Sequence, residues 1–228
     1  MDSDGVANGF DTLVSGDFRS PLRYEFWPAL AASRKVLVVL HGRGDTLEGF
    51  HWLPQALGLD AFNVLFVEAP DPYGPGFSWY ELPPKQGPGI VRSRAWLFDL
   101  LDRLQSEFGL VSRDLFLFGF SQGCLVSLDV GLRYPKLLGG IVGVSGYVFF
   151  ESEYPQAFSK VATQQRFWVS HGYEDEMLSF ETTQASIELL RSQGIRIDWS
   201  PLHKGHTVDP AEEIPLIRAF FERQLTAN

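Results

Sequence analysis

Apolar residues fall along this chain in short unbroken runs, separated by longer segments in which they recur every three to four positions. Val36–Leu40 is apolar throughout, and residues 62–67, apolar but for Asn63, read as a second such strand. A strand shows this pattern only when both of its faces are covered. Residues 115–118, 138–144, 166–170 and 195–200 read as further strands. Between the strands the period changes to that of a helix. Over residues 90–108, Leu97, Leu100, Leu101, Leu104 and Phe108 share one face, and Gly109 follows as a C-cap. Helices are also expected over 47–57 (interrupted by Pro54), over 122–134 (ended by Pro135) and over 180–193 (ended by Gly194). A last helix should run to about Gln224, with Asp209 as N-cap, Pro210 at the first position and Glu212 as capping-box partner. Two pieces near the start, 11–14 and 22–26, are punctuated by Gly16 and Pro21 and suggest an antiparallel hairpin. Strands alternating with helices predict an α/β domain over 1–228. Its sheet should be mixed and mostly parallel with helices on both faces, after a flexible terminus over 1–10.

Composition narrows the class. Of 228 residues, 45% are hydrophobic and 21% charged, enough for a full core and unlike a disordered chain. The net charge is −9 with no Lys/Arg cluster, so a nucleic-acid partner is not expected. No apolar run approaches membrane-spanning length, so stable membrane insertion is not expected either. Residues 1–9 carry neither a basic segment nor an apolar run, which argues against a signal peptide. Cys124 is the one cysteine, so no intrachain disulfide can form, and a cytoplasmic setting is expected.

The chemistry centres on Gly119-Phe120-Ser121-Gln122-Gly123. This G-x-S-x-G lies between an expected strand and an expected helix, the context of a nucleophile elbow. A serine hydroxyl needs a base, and the base needs an orienting acid. In this architecture both follow the serine in the chain. Among five histidines, His41 and His51 precede Ser121. His206, just before the last helix, is preferred as base, with His203 as the alternative. Asp175, on the loop after residues 166–170, is preferred as acid over its neighbours Glu174 and Glu176. Two backbone N–H groups should receive the oxyanion, those of Gln122 and of Arg43 in the glycine-rich loop 41–45. His41 itself reads as a loop-packing residue and Cys124 as a buried packing residue. The set His203, His206 and Asp209 is only a weak match to a metal site.

The segments His41-Gly42-Arg43-Gly44-Asp45, Gly119 to Cys124, His171 to Asp175 and Gly205-His206-Thr207-Val208 together resemble the small carboxylesterase/acyl-protein thioesterase (phospholipase/carboxylesterase) family of α/β-hydrolases. The resemblance spans residues 36–225. It implies an α/β-hydrolase fold without a large cap domain, a Ser121–Asp175–His206 triad, backbone donors at Arg43 and Gln122, no metal and no cofactor. It implies a serine hydrolase acting on short- to medium-chain carboxylic esters or thioesters. The alternatives are thioesterase or lysophospholipase activity on longer acyl chains, and a non-catalytic binding protein on the same fold. A small-molecule acyl ester or thioester is the expected partner, with homodimerisation left open. The third residue of the first segment is often apolar in that family, whereas here it is Arg43. Phe77, Trp79 and Tyr80 on the Pro/Gly-rich stretch 71–89, Phe120 beside the nucleophile, and the run from Tyr147 to Phe150 are candidates to wall the acyl pocket. Of these, Trp79, Phe120 and Tyr147 are the expected substrate-binding residues.

Overall fold

The computed structural model describes residues 9–226. The strands are β1 (Tyr24–Trp27), β2 (Val36–Leu40), β3 (Asn63–Val67), β4 (Asp71–Tyr73), β5 (Gly76–Ser78), β6 (Leu115–Phe120), β7 (Gly140–Val144), β8 (Arg166–Gly172) and β9 (Arg196–Leu202). The helices are α1 (Asp11–Ser15), α2 (Leu53–Leu57), α3 (Gln86–Phe108), α4 (Gln122–Arg133), α5 (Phe180–Ser192) and α6 (Glu213–Thr226). Seven strands form one sheet in the order β1-β3-β2-β6-β7-β8-β9. Only β1 runs antiparallel, against β3. This is the mixed, mostly parallel sheet that the alternation of strands and helices predicts.

Period-2 alternation splits the core into two layers. Val36, Val38 and Leu40 of β2, with Leu115 and Leu117 of β6, face Leu97, Leu100 and Leu104 of α3. Leu37, Val39, Phe116 and Phe118 point to the other side, against Leu53 of α2 and Ile217, Phe220 and Phe221 of α6. Each such side chain contributes about 1.5–3 kcal/mol when fully buried. The central strands therefore form the rigid floor from which the loops at their carboxyl ends project.

Several expectations are corrected. Residues 11–15 are helical, not a strand, and Gly16 closes that turn at φ +80°, so there is no N-terminal hairpin. The expected flexible terminus falls largely on residues 1–8, outside the described residues, while Phe10 is buried against Phe26 and Phe108. The stretch 71–89 is not one long loop. It folds into the β4–β5 hairpin and then enters α3 at Gln86. Pro88 is accommodated because the first turn of a helix leaves its N–H groups unpaired. At α6 the Asp209 carboxylate accepts from Ala211 and Glu212 N–H, but the side chain that returns to Asp209 N–H is Glu213, at 2.9 Å, not Glu212. Among the described residues no helix is long and apolar enough to cross a membrane.

Candidate active site

The end of β6 turns into α4 through Ser121, whose φ of +54° lies in the left-handed region. A non-glycine residue held there costs about 1–3 kcal/mol. The surrounding contacts enforce it. Ser121 N–H donates to Val144 O at 2.9 Å. A Cβ on Gly119 would meet Gly123 O at 2.2 Å, and one on Gly123 would meet Leu40 O at 2.2 Å. Helix and strand can cross this closely only without those side chains.

Ser121 Oγ lies 2.9 Å from His206 Nε2, and His206 Nδ1 lies 2.8 Å from Asp175 Oδ2. An ionised carboxylate only accepts, so Nδ1 carries the proton and Nε2 is free to accept from the serine hydroxyl. Asp175 Oδ1 accepts from Met177 and Leu178 N–H, each at 2.9 Å. Burial alone would push the Asp175 carboxyl up. The hydrogen bonds from His206, Leu178 and Met177 outweigh it and hold the group below the usual carboxylate range. Glu174 lies exposed on the same turn, and its N–H donates to Lys204 O. His203 is turned away, its ring 4.9 Å from that of Tyr173. Of the three residues that weakly match a metal set, His206 is thus committed to Ser121 and Asp175, and Asp209 to capping. Among the described residues no three His, Cys, Asp or Glu side chains are grouped to hold a metal.

The loop 41–45 is held from two sides. Gly44 N–H donates to Phe77 O at 2.7 Å, and Phe77 N–H to Asp45 O at 2.9 Å, so the β4–β5 hairpin grips it. His41 is buried: Nδ1 donates to Gly42 O at 2.6 Å, and Nε2 accepts from Ala69 N–H at 3.0 Å. Burial pushes its imidazole down, keeping it neutral in that bridging role. Arg43 and Gln122 line the same cavity as Ser121, and neither backbone N–H is engaged in the turn and loop hydrogen bonds of the described residues. Gln122 N–H also opens α4, where the helix dipole favours negative charge.

A cavity of about 650 Å³ contains Ser121, His206, Arg43 and Gln122. Phe120 and Tyr147 line it, and Phe120 also packs on the His206 ring, with centroids 5.1 Å apart. Trp79 does not line it. Trp79 is fully buried, and its Nε1–H donates to His41 O at 2.9 Å. Its role is to brace the 41–45 loop from below. Phe149 and Phe150 pack against the core, leaving Tyr147 as the cavity-facing member of that run. Leu82, Pro83, Met177 and Leu178, which carried no motif, complete the apolar part of the wall.

Two further groups carried no sequence signal. The Gln122 side chain accepts from Trp79 N–H at 2.9 Å and donates to Tyr80 O at 2.9 Å, fastening the hairpin's exit to the elbow. Beneath His206, Lys204 Nζ lies 2.6 Å from Glu213 Oε1, 3.0 Å from Ser145 Oγ and 2.7 Å from Thr207 O. Ser170 Oγ also donates to that Glu213 oxygen. Both members of the ion pair are buried. They tie the loop carrying His206 to α6 and to the ends of β7 and β8.

Comparison with known proteins gives a consistent picture. Residues 28–223 match the family described as phospholipase/carboxylesterase. The chain is 31% identical over 216 residues to carboxylesterase SOBER1 of Arabidopsis thaliana, covering 86% of this chain and 93% of that protein. It is 31% identical over 176 residues to acyl-protein thioesterase 1 of Schizosaccharomyces pombe, covering 72% and 78% respectively. The crystal structure of Arabidopsis thaliana SOBER1 superposes with a TM-score of 0.77 at 26% identity, over 84% of this chain and 99% of that one. Esterase PE8 shares the fold, with a TM-score of 0.80 at 24% identity over 89% and 98%.

Proposed function

The chain belongs to the phospholipase/carboxylesterase family of α/β-hydrolases and is an ester or thioester hydrolase; on that premise we propose that it works by acyl transfer through Ser121, His206 and Asp175. The observation that carries the reading is the unbroken chain of hydrogen bonds from Ser121 Oγ through both ring nitrogens of His206 to Asp175. His206 Nε2 takes the Ser121 proton as Oγ attacks the acyl carbonyl. The carbonyl oxygen becomes an oxyanion, received by the Arg43 and Gln122 N–H groups. Each such donor contributes about 3 kcal/mol to the transition state. The tetrahedral intermediate collapses, and the imidazolium returns its proton to the departing alcohol or thiol. Water then enters, gives a proton to His206 and attacks the acyl-serine carbonyl. Collapse frees the acid, and His206 returns the proton to Ser121 Oγ. Asp175 stays ionised throughout and stabilises the imidazolium.

The apolar wall at Leu82, Pro83, Met177 and Leu178 suits the hydrocarbon part of an acyl chain. Short- to medium-chain carboxylic esters are the proposed substrates. Longer-chain thioester or lysophospholipid cleavage is the second reading, favoured by similarity to a protein named acyl-protein thioesterase 1. Ser121→Ala should lower kcat/KM for p-nitrophenyl butyrate by about 10⁶-fold, the loss usual when a nucleophile of this type is removed. Undiminished turnover would rule out the assignment. Parallel assays with butyryl and palmitoyl thioesters decide between the two substrate classes.

A further inference from the structure

Arg43 was placed above for its backbone N–H, and the mechanism leaves its side chain without a task. The guanidinium has no ion-pair partner among the described residues, and its close neighbour is the Tyr73 ring, 5.3 Å from Cζ. Arg43 lines the cavity that contains Ser121 and also an adjoining cleft of about 750 Å³. Tyr80 lines both as well. It is 2% exposed, and its hydroxyl has no hydrogen-bond partner of normal geometry among the described residues, although the Tyr147 hydroxyl is close by. A hydroxyl sealed in this way is costly without a partner, and the Tyr147 hydroxyl is the group within its reach, so Tyr80 holds Tyr147 in place rather than meeting a ligand itself. Tyr147 brings its own hydroxyl to the same wall.

The local carboxylates do not cancel this arrangement. Asp45, on the same loop, accepts from Thr46 N–H at 2.8 Å and lies against Gly49, where a Cβ would meet its Oδ1 at 2.2 Å. Asp71, on the adjoining cleft, is paired with Arg92. Glu81 remains on that cleft's wall, with Lys85 on the same lining. An unpaired guanidinium beside a phenol O–H donor is matched by a group that accepts several hydrogen bonds and carries negative charge. A carboxylate meets both requirements, and its planar pair of oxygens suits the guanidinium fork.

We propose that Arg43 and Tyr147, the latter held by Tyr80, form a carboxylate-binding subsite beside Ser121, so that the preferred substrates are esters bearing a free carboxylate, such as monoesters of dicarboxylic acids. This rests on the hydrolase mechanism proposed above and names the substrate class of that same site. The test compares kcat/KM by pH-stat within matched pairs. Monomethyl adipate against methyl hexanoate places the carboxylate on the acyl side. The butanoate ester of 5-hydroxypentanoate against pentyl butanoate places it on the alcohol side. In at least one pair the wild type should favour the charged ester about tenfold or more, as expected of a site built to pair with that group. Arg43→Gln should bring that ratio to one or below, Arg43→Lys should retain part of it, and Tyr147→Phe should lower it several-fold. The ratio is read within each variant, so a general loss of activity does not mimic the effect. Preference for the neutral ester in both pairs, or a ratio unmoved in Arg43→Gln and Tyr147→Phe, would overturn the subsite while leaving the hydrolase reading intact. Absence of hydrolysis of all four esters would overturn the subsite, and absence of p-nitrophenyl butyrate and thioester turnover as well would overturn both.

Discussion

At the scale of single residues, placement decides chemistry. Asp175 and Glu174 are adjacent in sequence, yet Asp175 reaches His206 while Glu174 lies exposed on the turn. Asp175→Asn should lower kcat by about 10⁴-fold, because an amide no longer holds the imidazole in the tautomer that accepts the serine proton. The same substitution has a signature in stability. A carboxyl held below its usual range in the folded state contributes stability that is present above pH 3.8 and is lost as pH falls through the folded value. Urea midpoints of wild type and Asp175→Asn should therefore converge as pH falls from 6 toward 3. A gap that stays constant would show that the carboxylate is not tied down in this way. Cys124 shows the reverse case. It is fully buried behind the elbow, and burial pushes its thiol up to about 12. A disulfide reagent at pH 8 should find no thiol in the native protein and one equivalent after denaturation. Rapid native labelling would contradict that packing.

At the scale of elements, the site is the junction of loops whose backbones touch. A Cβ on Gly123 would strike the carbonyl of Leu40 in β2, and one on Gly172 would strike Lys204 O at 2.0 Å. Gly123→Ala should destabilise by about 1–3 kcal/mol or more, since neither α4 nor β2 can yield, and thermal denaturation would measure it. The Lys204–Glu213 pair supports the His206 loop. Lys204→Met leaves a buried carboxylate without its cation and should cost about 3–5 kcal/mol, with much of that recovered in Lys204→Met/Glu213→Gln. Equal stability of the single and double variants would contradict this. The difference in legibility between these features is physical. The elbow can be read because strand, glycines, serine and helix are contiguous, and His206 because it lies a few residues before the last helix. Lys204 could not be found, since a loop lysine reads as solvated unless its partner is known, and Glu212 holds the regular capping-box position although Glu213 closes the cap. Trp79 was read as a pocket wall because Pro and Gly mark residues 71–89 as a loop. Those same residues form the hairpin that turns its indole inward onto His41 O.

At the scale of the whole molecule, the parallel sheet carries every proposed catalytic group at one edge. Arg43 follows β2, Ser121 follows β6, Asp175 follows β8 and His206 follows β9. The sheet type and the order of these groups were readable from alternating periodicity. The dimensions of the cavity were not, because they depend on how residues 71–89 and 173–179 fold back over the strand ends. Leu82 and Met177 remain exposed at the cavity rim, so part of an acyl chain would lie against an open apolar lip. In an acyl-length series, kcat/KM should rise from acetate while added methylenes are still being covered, by up to about fourfold for each fully buried one, or ~0.8 kcal/mol. It should then level off or fall before palmitate. A flat profile from the shortest chain would mean that the lip takes no part. The central claim is covalent catalysis at Ser121, and trapping the acyl-enzyme tests it most directly. Wild type and Ser121→Ala would be mixed with p-nitrophenyl butyrate, quenched in acid within the first turnover, and analysed by intact and peptide mass. The account predicts one butyryl group on Ser121 in the wild type and none in Ser121→Ala. A butyryl group on another residue, or wild-type turnover by Ser121→Ala, would contradict it.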